Sequence, residues 1–218
     1  MAGRVSGAST YHDVHLTEHP AREGVWRVIV DYLSPWMPAN GTVLEIGAGH
    51  CHWINSVRAS SRLAIDLWPG VSRYAAAGVE ARVMDAASEL STLPRAHFDA
   101  VLASNVLEHF EPDVAHRIAG EVAALLKPGG RFLIIQPNYR YAYRHYFDDY
   151  THRAVFTDVS LANMLRSHGF TIVVCKPRFL PYSMRNVRGT VPAWLVRAYL
   201  HSPFKPGAGQ MLIVATRS

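Results

Sequence analysis

Short, nearly continuous apolar runs alternate along this chain with longer stretches in which apolar residues return at helical spacing. Residues 21–36 form the first helical stretch, with Val25, Ile29, Tyr32 and Leu33 on one face. Pro35 and Pro38 stop it, and Asn40-Gly41 turns the chain into a β-rich run at 42–46. Further strands are expected at 62–66, 81–84, 98–103 and 131–136, the last nearly all apolar, as suits a strand covered on both faces. Between those last two, residues 113–126 carry Val114, Ile118, Val122 and Leu125 on one helical face, ended by Pro128-Gly129-Gly130. After an aromatic-rich loop at 139–150, a helix is expected at 158–168, with Thr157 as N-cap and Gly169 just past its end. Residues 170–175 and 211–215 are the final strand candidates.

Strands alternating with helices give an α/β fold built on a doubly wound parallel sheet. The final two strands lack a clear crossover helix, which points to an antiparallel edge. The expected organisation is a single domain over 1–218. It has a leader at 1–20, a core at 21–175, an insertion or cap at 176–210 with a short helix at 192–200, and a last strand at 211–218. No internal repeat interrupts it.

Composition narrows the class. With 218 residues, 49% hydrophobic and 18% charged, the chain is long enough to bury a core without disulfides or metal. Two cysteines, Cys51 and Cys175, make neither a disulfide scaffold nor a zinc motif. The first residues lack the apolar stretch of a signal peptide, and no run is long enough to span a membrane, so a cytoplasmic location is expected. The net charge of +5 is spread along the chain with no dense basic block, so it selects no partner by itself.

Chemistry concentrates first in VLEIGAGH, where Gly47 and Gly49 directly follow the first strand. Glycines there let the backbone turn tightly and approach a ligand. The third glycine of the dinucleotide fingerprint is missing, which argues against a nicotinamide or flavin cofactor. Glu45 stands inside the strand, where a carboxylate needs a partner. Asp66 ends the second strand and Asp85 the third, at positions suited to a ribose diol and an adenine edge.

The segments VLEIGAG, LAIDLWP, VMDAA, FDAVLASNVLEH and LLKPGGRFLIIQPN, taken in order, resemble the successive motifs of the class I S-adenosylmethionine-dependent methyltransferases. The resemblance runs from about residue 42 to 169. It implies a Rossmann-like seven-stranded sheet of order 3-2-1-4-5-7-6 with strand 7 antiparallel, and S-adenosyl-L-methionine as cofactor. It also implies roles. Gly47 and Gly49 would lie under the amino-acid end of the cofactor, with Glu45 supporting their loop. Asp66 would hold the ribose and Leu67 pack on the adenine, whose edge Asp85 and Ala86 would read. Asn105 would line the sulfonium end.

A hydroxyl acceptor must lose a proton during methyl transfer, so a base or a metal is expected beside the methyl group. The loops after strands four and five, at the topological switch point, carry the candidates. They hold Glu108-His109 and RHYFDDYTHRAVFT, with His145, Asp148, Asp149 and His152. His109, His145, Asp149 and His152 are the catalytic candidates; each has a structural alternative, and for Asp149 and His152 it is capping of the next helix. A divalent metal on His145, Asp148, Asp149 and His152 is chemically possible, but a polar loop of this kind usually stays solvated, and no metal is expected. Cys51 reads as a small buried residue.

The pattern D-x-T-H, with QPNYRY, YFDDYTH, PRFLPYS and GQMLIVATR around it, resembles methyltransferases of small molecules and cell-surface glycans. That subgroup includes enzymes of actinobacterial methylated polysaccharide synthesis. The leading expectation is therefore O-methylation of a sugar or oligosaccharide acceptor, by a monomer or homodimer. Tyr139, Tyr141, Tyr143 and Tyr146 would either stack on sugar rings or pack beneath the cap. Tyr11, His12 and His15 would be a lid or a tail. Methylation of RNA or another small metabolite is the rival, weakened because no N/D-P-P-Y/F/W motif follows strand four and no RNA-binding module is visible, so no nucleic acid is expected as partner. A non-enzymatic binding protein is the third reading, opposed by intact Glu45, Gly47, Gly49 and Asp66.

Overall fold

The computed structural model describes residues 20–182 and 191–218. The leader residues Tyr11, His12 and His15, and positions 183–190 of the expected insertion, lie outside them. The element order is α1 (Pro20–Leu33), β1 (Thr42–Ile46), α2 (His52–Ser56), β2 (Ser61–Asp66), α3 (Val71–Tyr74), β3 (Glu80–Val83), β4 (Phe98–Ser104) and α4 (Pro112–Leu125). There follow β5 (Leu126–Pro137), α5 (Tyr139–Ala142), α6 (Asp158–Ser167), β6 (Phe170–Pro181), α7 (Ala193–His201) and β7 (Ala208–Arg217).

The seven strands form one sheet of order β3-β2-β1-β4-β5-β7-β6. β1 to β5 pair in parallel, and β7 runs antiparallel between β5 and β6. Strand alternation sends successive β5 side chains to opposite faces. Phe132 and Ile134 join α4 and α6 residues such as Ile118, Val122, Leu161 and Leu165 in one cluster. Leu133 and Ile135 join Val25, Ile29, Trp53 and Leu200 from α1, α2 and α7 in the other. Both faces are thus covered, which is why the central strands carry so few polar residues. No helix among the described residues is long and apolar enough to cross a membrane.

The expected helix at 158–168 runs over Asp158–Ser167. The Thr157 hydroxyl accepts from the Ser160 amide and Ser160 returns a bond to the Thr157 amide, a reciprocal cap worth about 1 kcal/mol. Thr157 fills the cap position, so Asp149 and His152 do not cap this helix. Three strand expectations are too short, β7 among them, since it runs over Ala208–Arg217 and takes 208–210 from the expected insertion. β6 continues to Pro181 rather than ending at 175, so residues 176–181 of the expected insertion are strand. β5 begins at Leu126, so the Lys127–Gly130 run lies in the strand rather than closing α4. The aromatic loop contains a short helix, α5, and a tight turn at Tyr146–Asp148.

Candidate active site

Two groups of polar residues collect at the carboxyl ends of the parallel strands. The first surrounds the glycine loop after β1. Gly47 and Gly49 adopt φ of +69° and +50°, in the left-handed region that favours glycine. The Gly47 and Ala48 amides donate to the Ile65 carbonyl at 2.9 and 3.1 Å, which ties the loop to β2. Asp66 ties it again, because one carboxylate oxygen accepts from the Gly49 amide at 2.7 Å and the other from the Trp68 amide at 2.8 Å.

At Gly47 the close approach is internal. A Cβ there would stand 2.5 Å from Val106 Cγ2, so the missing side chain makes room for the turn after β4. Glu45 is buried in β1 and accepts from the Ile54 amide in the first turn of α2 at 3.1 Å. Burial holds its carboxyl well above the usual carboxylate range, the Ile54 bond opposes this, and the Asp66 charge adds to it.

Cys51, between the glycine loop and α2, keeps a left-handed φ of +57°, a conformation that strains a residue with a Cβ. It is wholly buried, and burial pushes its thiol up to about 12. Leu67 is half-buried beyond Asp66. Asp85 lies two residues past β3 and accepts from the Ala87 amide at 2.9 Å, with Ala86 partly packed against the core. Asn105, also at positive φ, accepts from Gln210 Nε2 at 3.0 Å. Left-handed backbone at the loop, a carboxylate ending β2 and one two residues past the adjacent β3, rather than at its end, suit an adenosyl group with a ribose diol.

The second group lies in the turn after β4 and the loop after β5. Glu108 sits in the turn Leu107–His109 with no solvent exposure, and both its carboxyl oxygens lack a hydrogen-bond partner among the described residues. Burial pushes its carboxyl up to about 8; the nearby amides of Glu108 itself and of Val106 oppose this, and the Asp149 charge adds to it. The Glu108 carbonyl accepts from the Arg153 and Ala154 amides at 2.8 and 3.1 Å, clamping the distant loop onto this turn.

That clamp sets two imidazoles side by side, His109 and His152, with ring centroids 4.9 Å apart. His109 Nδ1 lies 2.8 Å from the Thr151 hydroxyl, which donates to Asp149 Oδ1 at 2.5 Å. With its proton committed to Asp149, the Thr151 oxygen accepts from His109 Nδ1–H, so the lone pair of the neutral ring is on Nε2. His152 Nδ1 lies 2.6 Å from the Tyr146 carbonyl, which can only accept, so its ring takes the same tautomer.

The sequence candidates therefore divide. His109, Asp149 and His152 meet at Glu108. His145 instead pairs with Asp148 at 3.0 Å, both about two-thirds exposed, and the four-residue set that is chemically able to hold a metal in this loop does not come together among the described residues. Glu108 was visible in the sequence only as the neighbour of His109, and its orphaned carboxyl had no sequence signal. Gln136 was missed. It is fully buried near the end of β5 with both amide atoms lacking a partner among the described residues, and one polar residue in an otherwise apolar strand was the available cue.

The four tyrosines split too. Tyr146 is buried and bonds the Ala154 carbonyl, Tyr139 packs edge-on against it, and Tyr141 and Tyr143 are exposed.

Comparisons with known proteins agree with this geometry. A family model described as a methyltransferase domain matches residues 19–174. The chain belongs to that family, whose methyl donor is S-adenosylmethionine. A search of curated proteins finds no match. Among solved structures, a SAM-dependent methyltransferase from Archaeoglobus fulgidus superposes with a TM-score of 0.70 at 18% identity, covering 95% of this chain and 98% of that one. The 1,6-didemethyltoxoflavin-N1-methyltransferase of Burkholderia thailandensis, solved with its substrate and S-adenosylhomocysteine, gives 0.60 at 22% identity over 98% and 86%. N-methyltransferase NodS from Bradyrhizobium japonicum, with S-adenosylhomocysteine, gives 0.61 at 15% over 94% and 91%. At these identities the likeness is one of fold.

Proposed function

We propose that this methyltransferase transfers the methyl group to a hydroxyl of a small acceptor, a sugar or glycan precursor. The observation that carries the reading is the convergence of His109, His152, Asp149 and Glu108 beside the turn that carries Asn105 and Val106. Gly47, Gly49, Asp66, Leu67, Asp85, Ala86 and Asn105 are the residues proposed to hold the donor. Bound there, S-adenosylmethionine supplies a methyl carbon on a positively charged sulfur and departs as a neutral thioether.

A hydroxyl is a poor nucleophile until its proton leaves. His109 suits the task of base, because Thr151 and Asp149 fix its tautomer with the ring lone pair on Nε2. As the acceptor oxygen bonds to the methyl carbon, the carbon–sulfur bond breaks and the proton moves to the imidazole, so charge is conserved. His152 stands beside it as the second candidate base. His145, exposed and paired with Asp148, is the weakest of the candidates. The exposed rings of Tyr141, Tyr143, Phe147 and Tyr150 in the same loop support a carbohydrate acceptor, since flat apolar faces suit sugar rings.

A nitrogen acceptor is the second reading, favoured by the names of the toxoflavin and NodS relatives. Incubation with labelled S-adenosylmethionine and paired panels of sugar and amine acceptors, read by mass spectrometry, separates the two. A methyl ether on a sugar is the expected product. Transfer to amines alone overturns the hydroxyl assignment.

A further inference from the structure

Glu108 poses a chemical problem that methyl transfer through an imidazole base leaves unsolved. A carboxyl group with no exposure and no hydrogen-bond partner among the described residues is costly to bury, and native proteins rarely keep one without a use. Two imidazoles stand next to it. One donor atom each from Glu108, His109 and His152 lies within 4.8 Å of the others. His109 Nδ1 meets Thr151, and His152 Nδ1 meets the Tyr146 carbonyl. Those bonds put the lone pair of each neutral ring on Nε2, the form in which imidazole binds a metal.

The surroundings complete a recognisable pattern. Metal-bound imidazoles usually donate their other N–H to a carbonyl or, directly or through an intermediary, to a carboxylate. His152 donates to a backbone carbonyl, and His109 reaches the Asp149 carboxylate through the Thr151 hydroxyl. A first-row ion about 2.1 Å from each ligand needs the three donors roughly 3.0–3.5 Å apart, a closure that small side-chain rotations supply.

We propose that Glu108, His109 and His152 bind a divalent first-row transition-metal ion, such as Mn2+, Fe2+ or Zn2+. Two nitrogens and one carboxylate favour these ions over Mg2+ or Ca2+, which prefer all-oxygen sites. Three protein ligands would leave positions open for an acceptor hydroxyl, and an ion there would lower the pKa of that hydroxyl so that its proton passes to solvent water. In this respect the proposal rests on the hydroxyl-methylation reading and deepens it, assigning the two imidazoles to the ion and not to the proton.

The test uses the full chain, freed of metal by a chelator and titrated with Mn2+ and Zn2+ by calorimetry and with Co2+ by visible absorption. The expected result is a single ion per chain, with a Co2+ spectrum of nitrogen and oxygen ligands. Glu108→Gln and His152→Ala abolish saturation while keeping the native near-ultraviolet circular dichroism. Thr151→Val weakens binding about tenfold by removing the hydroxyl behind His109. His116→Ala leaves binding intact, although His116 and His168 make a surface histidine pair with nitrogens 2.6 Å apart.

No binding by the parent protein, binding that survives both ligand substitutions, or binding lost in His116→Ala overturns the site. Should a ligand variant fail to fold, the Thr151→Val shift and the Co2+ spectrum decide. Methyl transfer measured in parallel keeps the two readings apart. Turnover without ion binding sinks the metal site and retains the imidazole base, whereas ion binding without transfer to any hydroxyl upholds the site and sinks the acceptor assignment.

Discussion

Each of the two polar groups at the strand ends contains a buried carboxyl, and the protein treats the two differently. Glu45 has a structural partner, the Ile54 amide, and Asp66 beside it has two, from Gly49 and Trp68. Glu108 makes no well-formed hydrogen bond among the described residues, with only its own amide and that of Val106 near its carboxyl. The glycine-loop acids spend their acceptor capacity on backbone and fix a shape. Glu108 keeps its capacity for something that arrives. A region that is internally satisfied is built to present a surface, whereas one left unsatisfied is built to be completed.

The sharpest way to break this contrast is one exchange made at both acids. Glu108→Leu is expected to lower methyl transfer about a hundredfold or more while raising the stability of the metal-free protein by about 1–3 kcal/mol, because an unpartnered polar group is removed. Glu45→Leu is expected to lower stability by about 1–3 kcal/mol, because it strands the Ile54 amide. Urea denaturation of the two variants reads both signs, and a stability loss of equal size in each erases the distinction.

Asp66→Ala carries the next largest effect. It removes the clamp on the glycine loop and is expected to weaken S-adenosylhomocysteine binding roughly tenfold to a hundredfold by calorimetry. Unchanged affinity would mean that this carboxylate serves the loop alone.

The smallest effect is a chemical reading of how tightly the loop is closed. The Cys51 thiol is raised to about 12, so its reactive thiolate appears only as pH climbs towards that value. Alkylation at pH 8 is expected to modify exposed Cys175 and spare Cys51 until the chain is unfolded, which peptide mapping detects. Rapid labelling of Cys51 in the folded protein would show that the glycine loop opens.

The sheet was legible in the sequence because its central strands are covered on both faces and read as largely apolar runs. The error at β6 has a physical origin. Lys176, Pro177 and Arg178 break the apolar pattern, yet β6 is the edge strand, and an edge tolerates proline and charge where an interior strand does not. The glycine loop was visible because its residues are close in sequence. The second group was harder, since sequence proximity joined His145 and Asp148 to Asp149 and His152. In the fold, the turn at Tyr146–Asp148 separates the members of that set, and the Glu108 carbonyl draws His152 to His109 from 43 positions away (152 − 109). A pairing made by backbone amides on one carbonyl leaves no signature in residue spacing.

Val106 pressing on Gly47 has an evolutionary corollary. Gly47 in the glycine loop and Val106, two places before Glu108, are in steric register, so Gly47 cannot gain a side chain while a valine stands opposite. A lineage that remodelled this turn would have to keep the bare glycine wherever the turn presents a side chain as large as valine. Designers grafting a new acceptor turn onto this scaffold inherit the same constraint.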